Sequence, residues 1–304
     1  MDPGFGVMNV SGTQRRNKLF HGRRMEAMPS GTDVVAREGW KVNSPRCRRD
    51  RRGRNSEVKM CTLIIEIGVV DAPELFVIAN RDEALDRPAK PPSVWRCGER
   101  RVLAPRDIKA GGTWIGVNEA GVACAITNRF GMEQGGDYRS RGRLVCDALS
   151  AGSAAGAIEQ LSSWDADEHN GFHLLVADGQ RGFVTGSDTA TSWSVELEPG
   201  FYALTERSFD AANSRRIVEL ARRLSELDEW SPALRRRLRR WMIEHDEREP
   251  LESTCVHLPD SNYGTRSSTI IEGGDCWRML YADGPPCETS YRDYSDELNE
   301  LVGG

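Results

Sequence analysis

A cysteine directly after a methionine, in Met60-Cys61-Thr62, is the first place in the chain where residue type and position could do chemistry. If translation starts at Met60 and the initiator is removed, Cys61 becomes the N-terminal residue. Its thiol then stands beside its own α-amine, which titrates at about 7.7–8.0 when unperturbed. That amine can act as the base for its own side chain. Cysteine needs little activation, because its thiolate is already a strong nucleophile. A Cys61 still joined to Met60 has only a resonance-stabilised amide nitrogen, with no basic lone pair to take the proton.

A second polar group, Asn80-Arg81-Asp82-Glu83, follows the apolar run Leu75 to Ala79. On composition alone it reads either as a charged turn or as functional groups set at a strand end. The elements around it decide how it could meet the cysteine. Residues 62–70 form a nearly continuous β-favouring run, as expected of a strand buried on both faces. Asp71-Ala72-Pro73-Glu74 reads as a turn, and 75–79 as a returning strand. The start of the first strand of such a hairpin and the end of the second are neighbours. Arg81 and Asp82 should then sit beside the thiol, lower its pKa and anchor the amine.

Two further polar stretches carry the same flavour. Ala110-Gly111-Gly112-Thr113-Trp114 lacks the Gly-Lys-Ser/Thr of a phosphate loop and reads as a tight entry into a strand. Its partner strand ends at Asn128, either a turn residue or a donor to an oxyanion. Tyr263-Gly264-Thr265-Arg266-Ser267-Ser268 is an unusually polar lead into a late strand.

The remaining elements are expected as strands near 113–117, 122–127, 172–177, 182–186, 192–197, 201–205, 266–272 and 276–282. Helices are expected near 141–150 and 154–163. Two more amphipathic helices carry the stripes Ile217, Leu220, Ala221, Leu224 and Leu234, Leu238, Trp241, Met242. Strands, then helices, then strands again point to antiparallel sheets with helices packed outside, the α+β class.

Composition narrows the setting. Residues 1–59 hold 14 Lys/Arg against 6 Asp/Glu, whereas 60–304 hold 27 against 40. The first segment is basic and aperiodic and is expected to be disordered, an extension ahead of the true start at Met60. The body is acidic, with Lys90 and Lys109 as its only lysines, which suits a halophile's cytoplasm and argues against nucleic acid as a partner. No apolar run approaches the roughly 20 residues of a membrane span, and no secretory signal core is visible. A cytoplasmic protein with reduced thiols is expected. The eight cysteines form no CxxC pair. Cys255 and His257 could share a strand face, yet no second pair accompanies them, and no metal site is expected.

Met-Cys-Thr, Asn-Arg-Asp-Glu, Ala-Gly-Gly-Thr-Trp, Arg139-Ser140-Arg141-Gly142 and Tyr-Gly-Thr-Arg-Ser-Ser, in this order between Met60 and about Tyr281, resemble the NRDE family, also called the transport-and-Golgi-organisation protein 2 family. That family is similar in plan to N-terminal-nucleophile (Ntn) amidohydrolases of the choloylglycine and penicillin V acylase type. The resemblance implies a four-layer αββα sandwich over 60–304 and cleavage of a non-peptide C–N bond in a small molecule, without a cofactor. It implies Cys61 as nucleophile, its amine as base, and Asp82 orienting that amine with Arg81 or Asn80 beside it. Asn128 would serve the oxyanion, and Arg266 matches the arginine of the far strand. Asn80, Trp114 and Glu206 would contact substrate. Glu206 departs from the acylases, which carry asparagine there, and a glutamate facing the pocket would repel anions. The alternative the resemblance implies is a non-catalytic role in secretory traffic or as a haem carrier.

Overall fold

The computed structural model describes residues 60–129, 138–165, 168–187, 192–208, 214–227 and 229–304. The expectation for residues 1–59 lies outside them. The first sheet is built on a hairpin of β1 (Cys61–Ile67) and β2 (Leu75–Ala84). Gly68, at φ +64°, ends β1 in a conformation that costs other residues a Cβ clash. To this hairpin are added β10 (Gly200–Thr205), β11 (His257–Leu258), β12 (Tyr263–Gly273), β13 (Arg278–Ala282) and β14 (Arg292–Asp293). The order is β10-β1-β2-β12-β13-β14, with β11 on β12, and every pairing is antiparallel.

The second sheet is a meander in chain order: β3 (Ala89–Cys97), β4 (Arg100–Asp107), β5 (Ile115–Asn118), β6 (Ala123–Asn128), β7 (Phe172–Ala177), β8 (Gly182–Ser187) and β9 (Ser192–Glu196). Strands β3 and β4 were not expected. Nor was α5 (Ser295–Gly303), whose Leu298 and Leu301 join the core between the sheets.

Period-two alternation sorts each strand's side chains between layers. Leu63, Ile65 and Val77 point inward and pack against Leu103, Ile115, Val117 and Leu175 of the second sheet. Ile64, Phe76 and Ile78 point outward, under Ile217 and Leu220 of α3 (Arg215–Leu224) and Leu234 and Leu238 of α4 (Pro232–Trp241). On the far side α1 (Arg141–Leu149) and α2 (Ala154–Leu161) cover Val102, Ala104, Leu174 and Val176. The order of layers is helix, sheet, sheet, helix: the αββα plan expected. Among the described residues no helix is long and apolar enough to cross a membrane.

The Asn80–Glu83 segment is a correction. It is neither a turn nor an addition past the strand: β2 continues through it, paired with β1 on one side and β12 on the other. Asn80, Arg81 and Asp82 can remain in a central strand because buried partners meet them, while Glu83 is partly exposed.

Candidate active site

The hairpin register places Cys61 directly opposite Arg81. Both side chains therefore leave the sheet on its inner face. Arg81 is buried, and its guanidinium stacks over the Trp114 ring at 4.0 Å. Its Nη2 donates to Asp107 Oδ2 at 3.1 Å, and Arg87 Nε donates to the same oxygen at 3.0 Å. Its other terminal nitrogen, Nη1, is buried and has no hydrogen-bond partner among the described residues. Trp114 is held there by a close crossing: a Cβ on Gly112 would lie 2.4 Å from the Gly142 carbonyl oxygen, so only glycine lets α1 approach.

Asp82 leaves β2 on the opposite, outer face. The Thr265 hydroxyl donates to its Oδ1 at 2.6 Å, and Arg216 Nη1 lies 3.8 Å from Oδ2. Arg216 Nη2 also donates to Glu206 Oε2 at 2.6 Å, and all three side chains are almost wholly buried. The Asp82 carboxyl is raised to about 7, by burial first; Arg216 and the Thr265 bond oppose the rise and Glu206 adds to it. Glu206 is raised too, by burial first, with Arg216 opposing.

Cys61 departs from expectation. Burial first, and the nearby Asp82 carboxylate second, push its thiol up to about 12; Arg81 opposes this but does not win. The expected lowering fails because a sheet-end thiol loses more hydration than one arginine returns in Coulomb energy, and that arginine is itself tied to Asp107. Met60 is buried beside it, its N–H donating to the Tyr263 hydroxyl at 2.7 Å and its carbonyl accepting from Asp82 N–H at 3.1 Å.

Asn80 also faces outward. Its Nδ2 donates to the carbonyls of Met242 (2.8 Å) and Thr254 (2.7 Å), pinning the segment after α4 rather than facing the Cys61 side. Glu206 is likewise engaged by Arg216 behind the sheet, so the expected repulsion of anions by a pocket glutamate does not arise there. Arg266 sits at a β-bulge: Thr265 pairs with Asp82 and Ser267 with Arg81, leaving Arg266 as the extra residue. A bulge re-aims its side chain, and Arg266 Nη1 donates to Asp283 Oδ1 at 2.7 Å. Asn128, half-buried, closes β6. The preceding Thr127 hydroxyl donates to the Thr205 carbonyl at 3.4 Å, and Thr205 pairs with Thr62. Asn128 thus ends its strand at the same end of the sandwich as Cys61.

The structure therefore joins Cys61, Arg81 and Trp114 on one face, with Asp82 on the opposite face of the sheet and linked to Glu206 through Arg216. Sequence reasoning missed Arg216 and Asp107. Arg216 did carry a signal, because it lies four residues before Leu220 on the apolar stripe of α3, where a charge needs a buried partner.

Two stacked antiparallel sheets between helix layers, with a cysteine opening a central strand, define the class of protein: a four-layer αββα sandwich. Within that class the chain belongs to the family described as Transport and Golgi organisation 2, which matches residues 60–274. A Transport and Golgi organization protein 2 homolog from Bos taurus is 29% identical over 238 residues, covering 66% of this chain and 82% of its own length. The Mus musculus homolog is 34% identical over 147 residues, 47% of this chain and 52% of its own. Among solved structures, penicillin V acylase from Agrobacterium tumefaciens aligns with a TM-score of 0.47 and 13% identity, covering 77% of this chain and 86% of that one. The Caenorhabditis elegans N-acylethanolamine-hydrolyzing acid amidase ortholog gives 0.46 and 14%, covering 70% and 92%.

Proposed function

We propose that the chain is a cysteine amidohydrolase acting on the C–N bond of a small molecule, competent once the Cys61 α-amine is free. The observation that carries this reading is the inner-face pair of Cys61 and Arg81, where a buried guanidinium nitrogen, Nη1, has no hydrogen-bond partner among the described residues. An unpaired buried donor is costly unless a ligand oxygen completes it. The family match also begins at Met60, the residue that must go.

The freed amine takes the thiol proton, and the thiolate attacks the amide carbon. The oxyanion is met by N–H donors, with Asn128 and Arg81 as the candidates. The amine then passes its proton to the departing nitrogen as the C–N bond breaks, and water attack on the thioester releases the acid and restores the thiol. Asp82 holds the charged amine in place, Arg266 serves as the arginine of the far strand, and Trp114 contacts substrate.

The test compares a chain beginning at Met60, its N-terminus defined by mass, with the chain of 304 residues, each offered a panel of N-acyl amides. Expected is an acyl adduct on Cys61 in the shorter form alone, abolished in Cys61→Ala. Equal turnover by a chain that keeps residues 1–59 would refute the amine as base. A second reading, a non-catalytic transport role of the kind the relatives' names describe, draws on the thiol being held at about 12 while Met60 is attached. No adduct from any amide, with Cys61 proven N-terminal, would favour it.

A further inference from the structure

On the outer side of the first sheet, away from Cys61, four side chains from three separate segments converge. His245 follows α4, Cys255 and His257 flank Val256 at the start of β11, and Cys287 lies in the β13–β14 connection. Their ligand atoms all lie within 4.8 Å of one another. We propose that His245, Cys255, His257 and Cys287 form a structural zinc site of the His2Cys2 type, independent of the reading of Cys61 given above.

The distances suit the ion. Tetrahedral zinc, with Zn–S about 2.3 Å and Zn–N about 2.0–2.1 Å, requires edges of about 3.8 Å between sulfurs and about 3.6 Å between sulfur and nitrogen. Cys255 Sγ stands 3.6 Å from Cys287 Sγ and 3.6 Å from His257 Nε2, and His257 Nε2 stands 3.2 Å from Cys287 Sγ. The orientation suits it as well. His245 Nδ1–H donates to the Cys255 carbonyl at 2.8 Å, which fixes the tautomer and leaves Nε2 with its lone pair free for an ion. This is the outer-shell bond that metal-ligating histidines characteristically make. Cys255 and His257, two residues apart in the lead into β11, both send their ligand atoms to the cluster, and the intervening Val256 N–H donates to the Thr265 hydroxyl at 2.8 Å.

The sequence offered no second pair beside Cys255 and His257. The fold supplies one, from ten residues upstream and 32 downstream. Four protein ligands leave no open position, which marks a structural rather than a catalytic ion. The role follows from what the segments hold. Thr254 accepts the Asn80 side chain through its carbonyl, and Thr265 bonds both Val256 and Asp82. An ion at the cluster would lock the layer against which Asn80 and Asp82 rest.

The test uses the full chain purified under reducing conditions without chelator. Expected is about one zinc per chain, retained in Cys276→Ser and lost in Cys287→Ser. His245 is exposed, so His245→Ala cannot fail through the core; it should weaken zinc binding at least about tenfold in competition with a chromogenic chelator. Co2+ exchanged into the protein should give the visible ligand-field bands of a tetrahedral site with thiolate charge transfer, absent in Cys287→Ser. A wild-type chain that takes up no zinc on titration would overturn the proposal. So would equal binding by the Cys287 and His245 variants, or a Cys255–Cys287 disulfide found by peptide mass in the reduced preparation.

Discussion

Replacing Arg216 by methionine should separate two kinds of cost in one experiment. The guanidinium is the only cation in ion-pair contact with Asp82 among the described residues, and it makes the closest ion pair of Glu206, at 2.6 Å. Removing one partner from a buried ion pair costs about 3–5 kcal/mol, because the remaining charge has no hydration to return to. A carboxyl raised from its ordinary 3.8 to about 7 already carries roughly 4 kcal/mol of pH-dependent cost with Arg216 present.

The sign follows from proton uptake. The native state keeps the Asp82 proton between pH 4 and 7 while the unfolded chain has lost it, so this contribution is full below about 4 and is lost as pH rises to about 7. At pH 8 the Asp82 carboxylate is ionised, and Arg216→Met should cost about 3–5 kcal/mol. At pH 5 Asp82 is protonated in parent and variant alike, so the cost should shrink to about half or less. Urea unfolding at the two pH values measures it. A cost under about 1 kcal/mol at pH 8, or one equal at both pH values, would refute the account of Arg216 as the cation that makes two buried carboxylates tolerable.

Asn80→Ala should destabilise by about 2–4 kcal/mol in urea, because it strips the donor from two carbonyls, of Met242 and Thr254; a loss below about 0.5 kcal/mol would mean water replaces it freely. Thr265→Val removes a bond that holds the Asp82 carboxyl down, so the pH range over which stability falls should extend above 7, as read from unfolding free energy against pH. With Met60 attached, iodoacetamide at pH 8 should alkylate the exposed Cys276 at least about 100-fold faster than Cys61, by peptide mass; comparable rates would show that burial does not hold the Cys61 thiol protonated.

What could be read from residues alone follows from how each signal arises. The β1–β2 hairpin was legible because a long β-favouring run, a Pro-containing turn and a second apolar run dictate it; its register was not, because β1 stops at Ile67 and pairs that residue with Leu75, which is what sets Arg81 opposite Cys61. The helices α1 to α4 were legible from their stripes. Strands β3 and β4 were not: β3 carries Pro91 and Pro92 at a register shift and leaves most of its residues partly or fully exposed, so neither alternation nor apolarity marks it. The extension of β2 through Asn80–Glu83 was hidden for the opposite reason. Asn80, Arg81 and Asp82 are buried, and the groups that satisfy them come from β12, α3, the β4 end and the segment after α4, none of which propensity can see. Ligand spacing failed for the Cys255–His257 pair in the same way, since its partners arrive through the fold.

The outcome is a motif divided between two layers. Alternation along β2 sends Arg81 inward to Cys61 and Trp114, while Asn80 and Asp82 go outward to the 242–256 segment and Arg216. Only the inward half can touch a ligand lying between the sheets. The outward half sets where β2 ends and what charge stands behind the thiol. A substitution at Asn80 or Asp82 that lowers function therefore does not by itself mark a substrate contact, because the same change loosens the outer layer. The distinction can be drawn by pairing changes across the strand. Arg81→Met should leave the outer layer's urea resistance close to that of a Trp114 variant while abolishing any ligand effect, because the two share one face and one stacking contact. Asn80→Ala combined with Cys287→Ser should instead show strong non-additivity in stability, because both act on the 242–256 segment. Additive losses in that second pair would mean that the cluster and the strand are held independently.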